Sequence, residues 1–208
     1  MSKSEKSDFI HRFVPGSSSR TLLLLHGTGG NEEDLLSLGR ALDPKAALLS
    51  PRGRVLENGS PRFFRRLAEG VFDEQDLTKR THELADFLGE AASRYGFDAN
   101  KVIAIGYSNG ANIAGGMLLL RPGSLCGAAL LRPMVPLVPQ VLPDLKGVPV
   151  LVSSGNQDPI VPADNARELV SLLRSAGADV TVSFENAGHG LTEATLASAQ
   201  RWLAEQAT

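Results

Sequence analysis

A single cysteine, Cys126, is all that the 208 residues contain, which excludes an internal disulfide and leaves no cysteine pair to begin a zinc site or a redox couple. A reducing compartment is the expected home, and Cys126 itself is expected to be a small core residue in a buried strand. An excess of one charge is also missing. The 21 Lys and Arg against 23 Asp and Glu leave a formal net charge of −2, too little to hold a polyanion or an acidic membrane surface, so no nucleic acid partner is expected. Long apolar runs are absent too. The aliphatic run Leu22 to Leu25 falls far below a membrane span, and Met1 to Asp8 is Ser- and Lys-rich with no apolar segment of signal-peptide length behind it. The expectation is a cytoplasmic protein with no stable membrane association. With no repeat, low-complexity tract or interior linker, residues 1–208 read as a single domain whose first eight residues are flexible.

What is present is globular: the hydrophobic set makes up 42% and charged residues 21% of the chain, enough apolar material for a real core. From residue 20 onward, short β-rich runs alternate with longer helical stretches. That pattern predicts an α/β fold, a mostly parallel central sheet with helices on both faces. The strand candidates are Thr21 to His26, Ala46 to Ser50, Lys101 to Tyr107, Leu125 to Leu131, Val148 to Ser154 and Val180 to Phe184. Most are continuous apolar runs, as strands buried on both faces should be. Phe9 to Val14 is a candidate antiparallel edge strand. Asn31 can cap a helix with Glu32, Glu33 and Asp34 in its first turn. Further helices are predicted over Asp76 to Tyr95, stopped by Gly96, over Ala163 to Ala176, stopped by Gly177, and over Thr192 to Gln206. Residues 51 to 75 show no clear period and are longer than a compact domain usually leaves unstructured, which marks them as a functional loop.

The chemistry converges on Gly106-Tyr107-Ser108-Asn109-Gly110, which follows the strand Lys101 to Tyr107 and opens a helix running to about Leu120. This is Gly-x-Ser-x-Gly in the strand-turn-helix setting that such a nucleophile requires. A serine at a sharp turn brings neighbouring backbone so close that a side chain at either flanking position would collide. The helix that starts there directs free N–H groups at the serine oxygen. A hydroxyl is a poor nucleophile near neutral pH, so it needs a base, and the base needs an orienting group. Of four histidines, His11 is near the N-terminus, His26 is placed to brace the loop after its strand, and His82 falls on a helix flank. His189, in Ala187-Gly188-His189-Gly190, follows the last strand, at the edge where open parallel sheets place ligands. Asp158 directly follows the strand Val148 to Ser154 and is the acid candidate, whereas Asp164 reads as a helix cap and Asp179 lies at the wrong edge. The order Ser108, Asp158, His189 is that of α/β-hydrolases. Thr28 and Asn109 are the expected backbone donors of an oxyanion hole, Thr28 because His26-Gly27-Thr28-Gly29-Gly30 can turn N–H groups into the site. A dinucleotide-binding reading of that loop fails because Glu32 stands where a glycine would be needed.

On these residues the chain resembles the phospholipase/carboxylesterase family of α/β-hydrolases, which also contains the acyl-protein thioesterases. The likeness runs from Leu22 through the final helix. It is carried by His26-Gly-Thr-Gly-Gly30, Pro61-Arg-Phe-Phe-Arg-Arg66, Gly106-Tyr-Ser-Asn-Gly110 and Gly155-Asn-Gln-Asp-Pro-Ile-Val-Pro162, which look most like the small bacterial carboxylesterases, a subgroup that includes hydrolases associated with hydroquinone and quinone stress. The resemblance implies a Ser108-Asp158-His189 triad with Thr28 and Asn109 as oxyanion donors. It leaves a homodimer open, since several similar members are dimers. The sequence departs from the thioesterase branch, which commonly carries His-Gly-Leu-Gly-Asp and Gly-Phe-Ser-Gln-Gly.

The expected activity is that of a serine carboxylesterase acting on small-molecule, short-chain esters through an acyl-enzyme, with no metal or organic cofactor. Residues Arg132 to Gly147 leave no room for a cap domain, so an open pocket rimmed by Phe63, Phe64, Phe72, Met134 and Val161 is expected. An equal reading has Phe63 and Phe64 pinning the long loop to the core. Arg52, Arg54, Arg62, Arg65 and Arg66 form a basic cluster in that loop, read as solvated or, less simply, as including one residue that grips an anionic substrate. Acyl-protein thioesterase or lysophospholipase activity would use the same triad. A non-catalytic α/β module binding a small molecule is the alternative of a different class.

Overall fold

The computed structural model describes residues 9–206; the expected flexibility of the first eight residues lies outside the described residues. Seven strands form the central sheet: β1 (His11–Val14), β2 (Thr21–Leu25), β3 (Ala47–Pro51), β4 (Val102–Tyr107), β5 (Gly127–Leu131), β6 (Pro149–Gly155) and β7 (Asp179–Glu185). Their order across the sheet is β1-β3-β2-β4-β5-β6-β7. All neighbours are parallel except β1, which pairs antiparallel with β3 at the edge. Among the described residues five α-helices accompany it, α1 (Leu36–Leu42), α2 (Glu74–Tyr95), α3 (Asn109–Leu120), α4 (Ala163–Ser175) and α5 (Glu193–Glu205), with a short 3-10 turn at Ala99–Lys101.

The continuous apolar runs are explained by two cores, one on each face. Leu23 and Leu25 of β2, with Val102 and Ala104 of β4, pack with α2, α3 and α4. Their alternates Leu22, Leu24, Ile103 and Ile105 pack against Leu42 of α1 and Ala199, Trp202 and Leu203 of α5. Because successive side chains point to opposite faces, a strand covered on both sides must be apolar at every position. Cys126 is partly buried at the margin of the second core, just before β5, rather than inside a strand.

Helix ends follow local chemistry. The Asp73 carboxylate accepts the Asp76 N–H to cap α2, and Gly96 ends it in the left-handed region at φ 74°. Thr192 caps α5 in a reciprocal pair with Thr195. Asn31 does not cap a helix. Its side chain accepts the Glu33 N–H at 2.8 Å in a local turn, and α1 begins only at Leu36. Asp164 is likewise not the cap of α4. It sits in the first turn, after Pro162, and pairs with Arg167 at 2.6 Å. The 51–75 stretch is not structureless, since it folds as two short hairpins, Val55–Glu57 with Ser60–Arg62 and Arg66–Ala68 with Val71–Phe72. Between β5 and β6 no helix or strand intervenes, so no cap domain covers the sheet edge. None of the described helices is long and apolar enough to cross a membrane.

Candidate active site

The C-terminal ends of β2, β4, β6 and β7 bring four loops together. Ser108 stands between β4 and α3 at φ 52°, one of three non-glycine residues with positive φ among the described residues. That backbone costs on the order of 1–3 kcal/mol and persists only where the surroundings impose it. The two flanking glycines are what permit it. A Cβ on Gly106 would stand 2.5 Å from Gly110 O, and one on Gly110 would stand 2.0 Å from Leu25 O. The Ser108 N–H donates to Leu131 O at 2.8 Å, which fixes the turn to β5.

His189 Nε2 lies 2.9 Å from Ser108 Oγ, and His189 Nδ1 lies 2.7 Å from Asp158 Oδ2. The three side chains meet from positions far apart in the chain. Asp158 Oδ1 accepts the N–H groups of Ile160 at 2.8 Å and Val161 at 3.0 Å, and its side chain is fully buried. Burial opposes its charge, but the Val161 N–H, the His189 imidazole and the Ile160 N–H outweigh that and hold its pKa below the usual carboxylate range.

Thr28 and Asn109 flank Ser108 in the same small cavity. Asn109 opens α3, so its N–H has no intrahelical acceptor. Both residues are tied to the 51–75 stretch by adjacent positions. Arg62 Nη1 donates to Thr28 Oγ1 at 2.8 Å, and the Phe63 N–H donates to Asn109 Oδ1 at 2.8 Å. His26 braces the same stretch: its Nδ1 donates to Gly27 O at 2.6 Å while its Nε2 accepts the Gly53 N–H at 2.9 Å. Burial lowers its pKa, which suits a neutral ring that accepts at Nε2.

Of the expected rim, Phe72, Met134 and Val161 line the cavity. Phe63 and Phe64 do not. They are 3% and 0% exposed in the core, where the Phe63 ring packs tilted against His26 with centroids 4.7 Å apart, so they pin the loop rather than face the opening. The basic cluster is dispersed by pairing: Arg52 with Glu32, Arg54 with Glu83, Arg65 with Asp73, and both Arg62 and Arg66 with Glu57. Only Arg62 and Arg66 of that cluster reach the cavity, where Arg132, unmarked in the sequence, joins them. The volume beside Ser108 is about 50 Å³. A larger space of about 420 Å³ lies near the strand starts, lined by Arg20, Lys101 and Cys126, and no histidine lines it. Among the described residues no group of three His, Cys, Asp or Glu could hold a metal ion.

A mostly parallel sheet bearing a serine on a strained strand-to-helix turn, hydrogen-bonded to a histidine that is in turn hydrogen-bonded to an aspartate, both from later loops, is that of an α/β-hydrolase. Residues 56–207 match the dienelactone hydrolase family. A Bacillus subtilis (strain 168) protein described as "Putative hydrolase MhqD" is 52% identical over 195 residues, 94% of this chain and 98% of its own. The crystal structure of the Bacillus cereus carboxylesterase superposes with a TM-score of 0.91 at 51% identity, covering 93% of this chain and 92% of that one. A carboxylesterase from Mesorhizobium loti gives 0.90 at 33% identity, covering 98% of both. The chain belongs to the dienelactone hydrolase family and is a carboxylic ester hydrolase.

Proposed function

We propose that this chain is a single-domain serine carboxylesterase for short-chain esters, with Ser108 as nucleophile, His189 as general base and Asp158 as the group that orients it. The observation that carries the reading is the unbroken hydrogen-bond chain from Ser108 Oγ through both nitrogens of His189 to Asp158. Ser108 Oγ attacks the ester carbonyl while His189 Nε2 takes its proton. The N–H groups of Thr28 and Asn109 receive the oxyanion, and His189 returns the proton to the departing alcohol. Water, activated by the same imidazole, then cleaves the acyl-enzyme. Asp158 keeps the proton on His189 Nδ1, so that Nε2 is free to accept.

The short-chain preference rests on the cavity. At about 50 Å³ it is far below the ~300–1,000 Å³ of pockets that enclose drug-sized ligands. Phe72, Met134 and Val161 give it an apolar wall for an acyl group. A panel of p-nitrophenyl esters graded by acyl length, with an acyl thioester included, tests this. The highest kcat/KM is expected at two to four carbons (~C2–C4); a maximum at long chains, at the thioester or at lysophospholipid would replace the reading with that of a thioesterase or lysophospholipase.

A further inference from the structure

His189 sits between Gly188 and Gly190, in the connection from β7 to α5. A Cβ on Gly190 would meet nothing within 4 Å, so packing does not hold that side of the loop. Two glycines give the backbone more freedom than a base held at hydrogen-bond distance can tolerate. The Gln157 N–H holds the start of the loop, donating to Ala187 O at 3.0 Å, and around the base itself the loop is restrained by bonds to three consecutive carbonyls. Arg132 Nε donates to Gly188 O at 3.1 Å, the Tyr107 hydroxyl donates to His189 O at 3.2 Å, and Arg132 Nη2 donates to Gly190 O at 2.9 Å.

Arg132 is suited to this by position and by shape. It follows the last residue of β5, whose carbonyl holds the Ser108 N–H, and its own N–H donates to Ser153 O at 2.7 Å. It adopts φ 58°, and its side chain is 0% exposed. A fully buried guanidinium carries a large desolvation cost, offset only by good geometry and a counter-charge. Both are present. Glu185 Oε1 accepts from Nη2 at 2.6 Å, and Ser153 Oγ and Thr195 Oγ1 lie at 3.3 and 3.2 Å. Glu185 is itself fixed: burial works against its charge, but Thr192, Thr195 and Arg132 hold its pKa low. A planar fork of donors can reach carbonyls on both sides of one residue, which a lysine ammonium cannot do.

We propose that Arg132 is a positioning residue for His189, a guanidinium clamp that, with Tyr107, locks the loop carrying the base in register with Ser108. The proposal rests on the reading of His189 as the base. It makes Arg132 necessary for the rate of acyl transfer and not for substrate affinity.

The test uses full-length Arg132→Met, the double variant Arg132→Met/Glu185→Gln, which leaves no unpaired carboxylate, Arg132→Lys and Tyr107→Phe, assayed with p-nitrophenyl acetate and a fluorophosphonate probe. Arg132→Met and the double variant should lose on the order of 10²-fold in kcat, with KM within about two-fold of wild type. The fluorophosphonate labelling rate at Ser108 should fall by the same factor, while far-UV circular dichroism stays as in wild type. Arg132→Lys should recover part of the rate, and Tyr107→Phe should lose about three- to ten-fold. A folded Arg132→Met or double variant with wild-type kcat and labelling rate overturns the proposal, as does a loss confined to KM. If neither folds, Tyr107→Phe decides, and full kcat in that variant overturns the clamp. Ser108→Ala separates the two levels. If it stays active, the reading of Ser108 and His189 fails; if it is inactive while the clamp variants match wild type, only the clamp fails.

Discussion

The side-chain oxygen of Asn109 accepts the N–H of Phe63 at 2.8 Å, which joins the residue after Ser108 to a loop more than forty positions earlier in the chain. Asn109 is 2% exposed, so nothing in solvent can replace that bond. Asn109→Ala leaves the Phe63 N–H buried and unpaired and should cost ~1–3 kcal/mol. Urea unfolding followed by circular dichroism checks this. Turnover should fall as well, because the loop that carries the Thr28 tie is loosened.

Gly110→Ala should damage the fold more than any substitution at the exposed end of the site. Its Cβ would stand 2.0 Å from Leu25 O and 2.4 Å from Leu25 C, and both are backbone atoms of β2 that cannot swing aside. The expected loss exceeds ~3 kcal/mol, the upper end of ordinary overpacking. Soluble yield and the thermal midpoint report it. A near-native midpoint would mean that α3 can slide off β2 at little cost.

Asp158 gives a stability effect with a definite sign. Its folded-state pKa is depressed, so its contribution to stability is fully present above the unfolded aspartate value of about 3.9 and is lost as pH falls through the lower folded value. The wild type should therefore lose stability relative to Asp158→Asn as pH drops from about 5 to about 2. Urea midpoints of both proteins across that range measure it. At neutral pH, Asp158→Asn should also reduce kcat by on the order of 10⁴-fold, because an amide no longer fixes the imidazole proton on Nδ1.

Met134 stands on the cavity wall, and its methyl lies 3.8 Å from where a Cβ on Gly70 would be. Met134→Ala should open that wall and move the acyl-length optimum toward longer esters by about two carbons, with kcat on the acetate within about three-fold of wild type. An unchanged length profile would show that a different wall sets the limit.

Much of the candidate site was readable because its determinants are local. The strained serine turn needs Gly106 and Gly110 within two residues, Asp158 follows a strand marked by the apolar run Val150 to Val152, and His189 follows one marked by the alternating Val180, Val182 and Phe184. The two-faced burial of β2 and β4 made the parallel sheet legible in the same way. What the sequence hid depends on distant partners. Asn31 has the right chemistry for a cap, but its side chain closes a turn instead, next to Glu32, which is held by Arg52. Phe63 and Phe64 lie in a loop without period, and only the packing against His26 and the core reveals that they face inward. Arg132 looks like one more arginine after a strand. Its partners lie twenty-one to sixty-three positions away, so no local pattern announces that its guanidinium is buried.

The most direct measurement is intact-protein mass spectrometry with peptide mapping after exposure to a fluorophosphonate. One adduct on Ser108 is expected, formed in parallel with loss of ester hydrolysis, absent in Ser108→Ala and greatly slowed in His189→Ala. A folded protein that continues to hydrolyse esters with no adduct, or with the adduct on another residue, would contradict the assignment of Ser108 as the nucleophile.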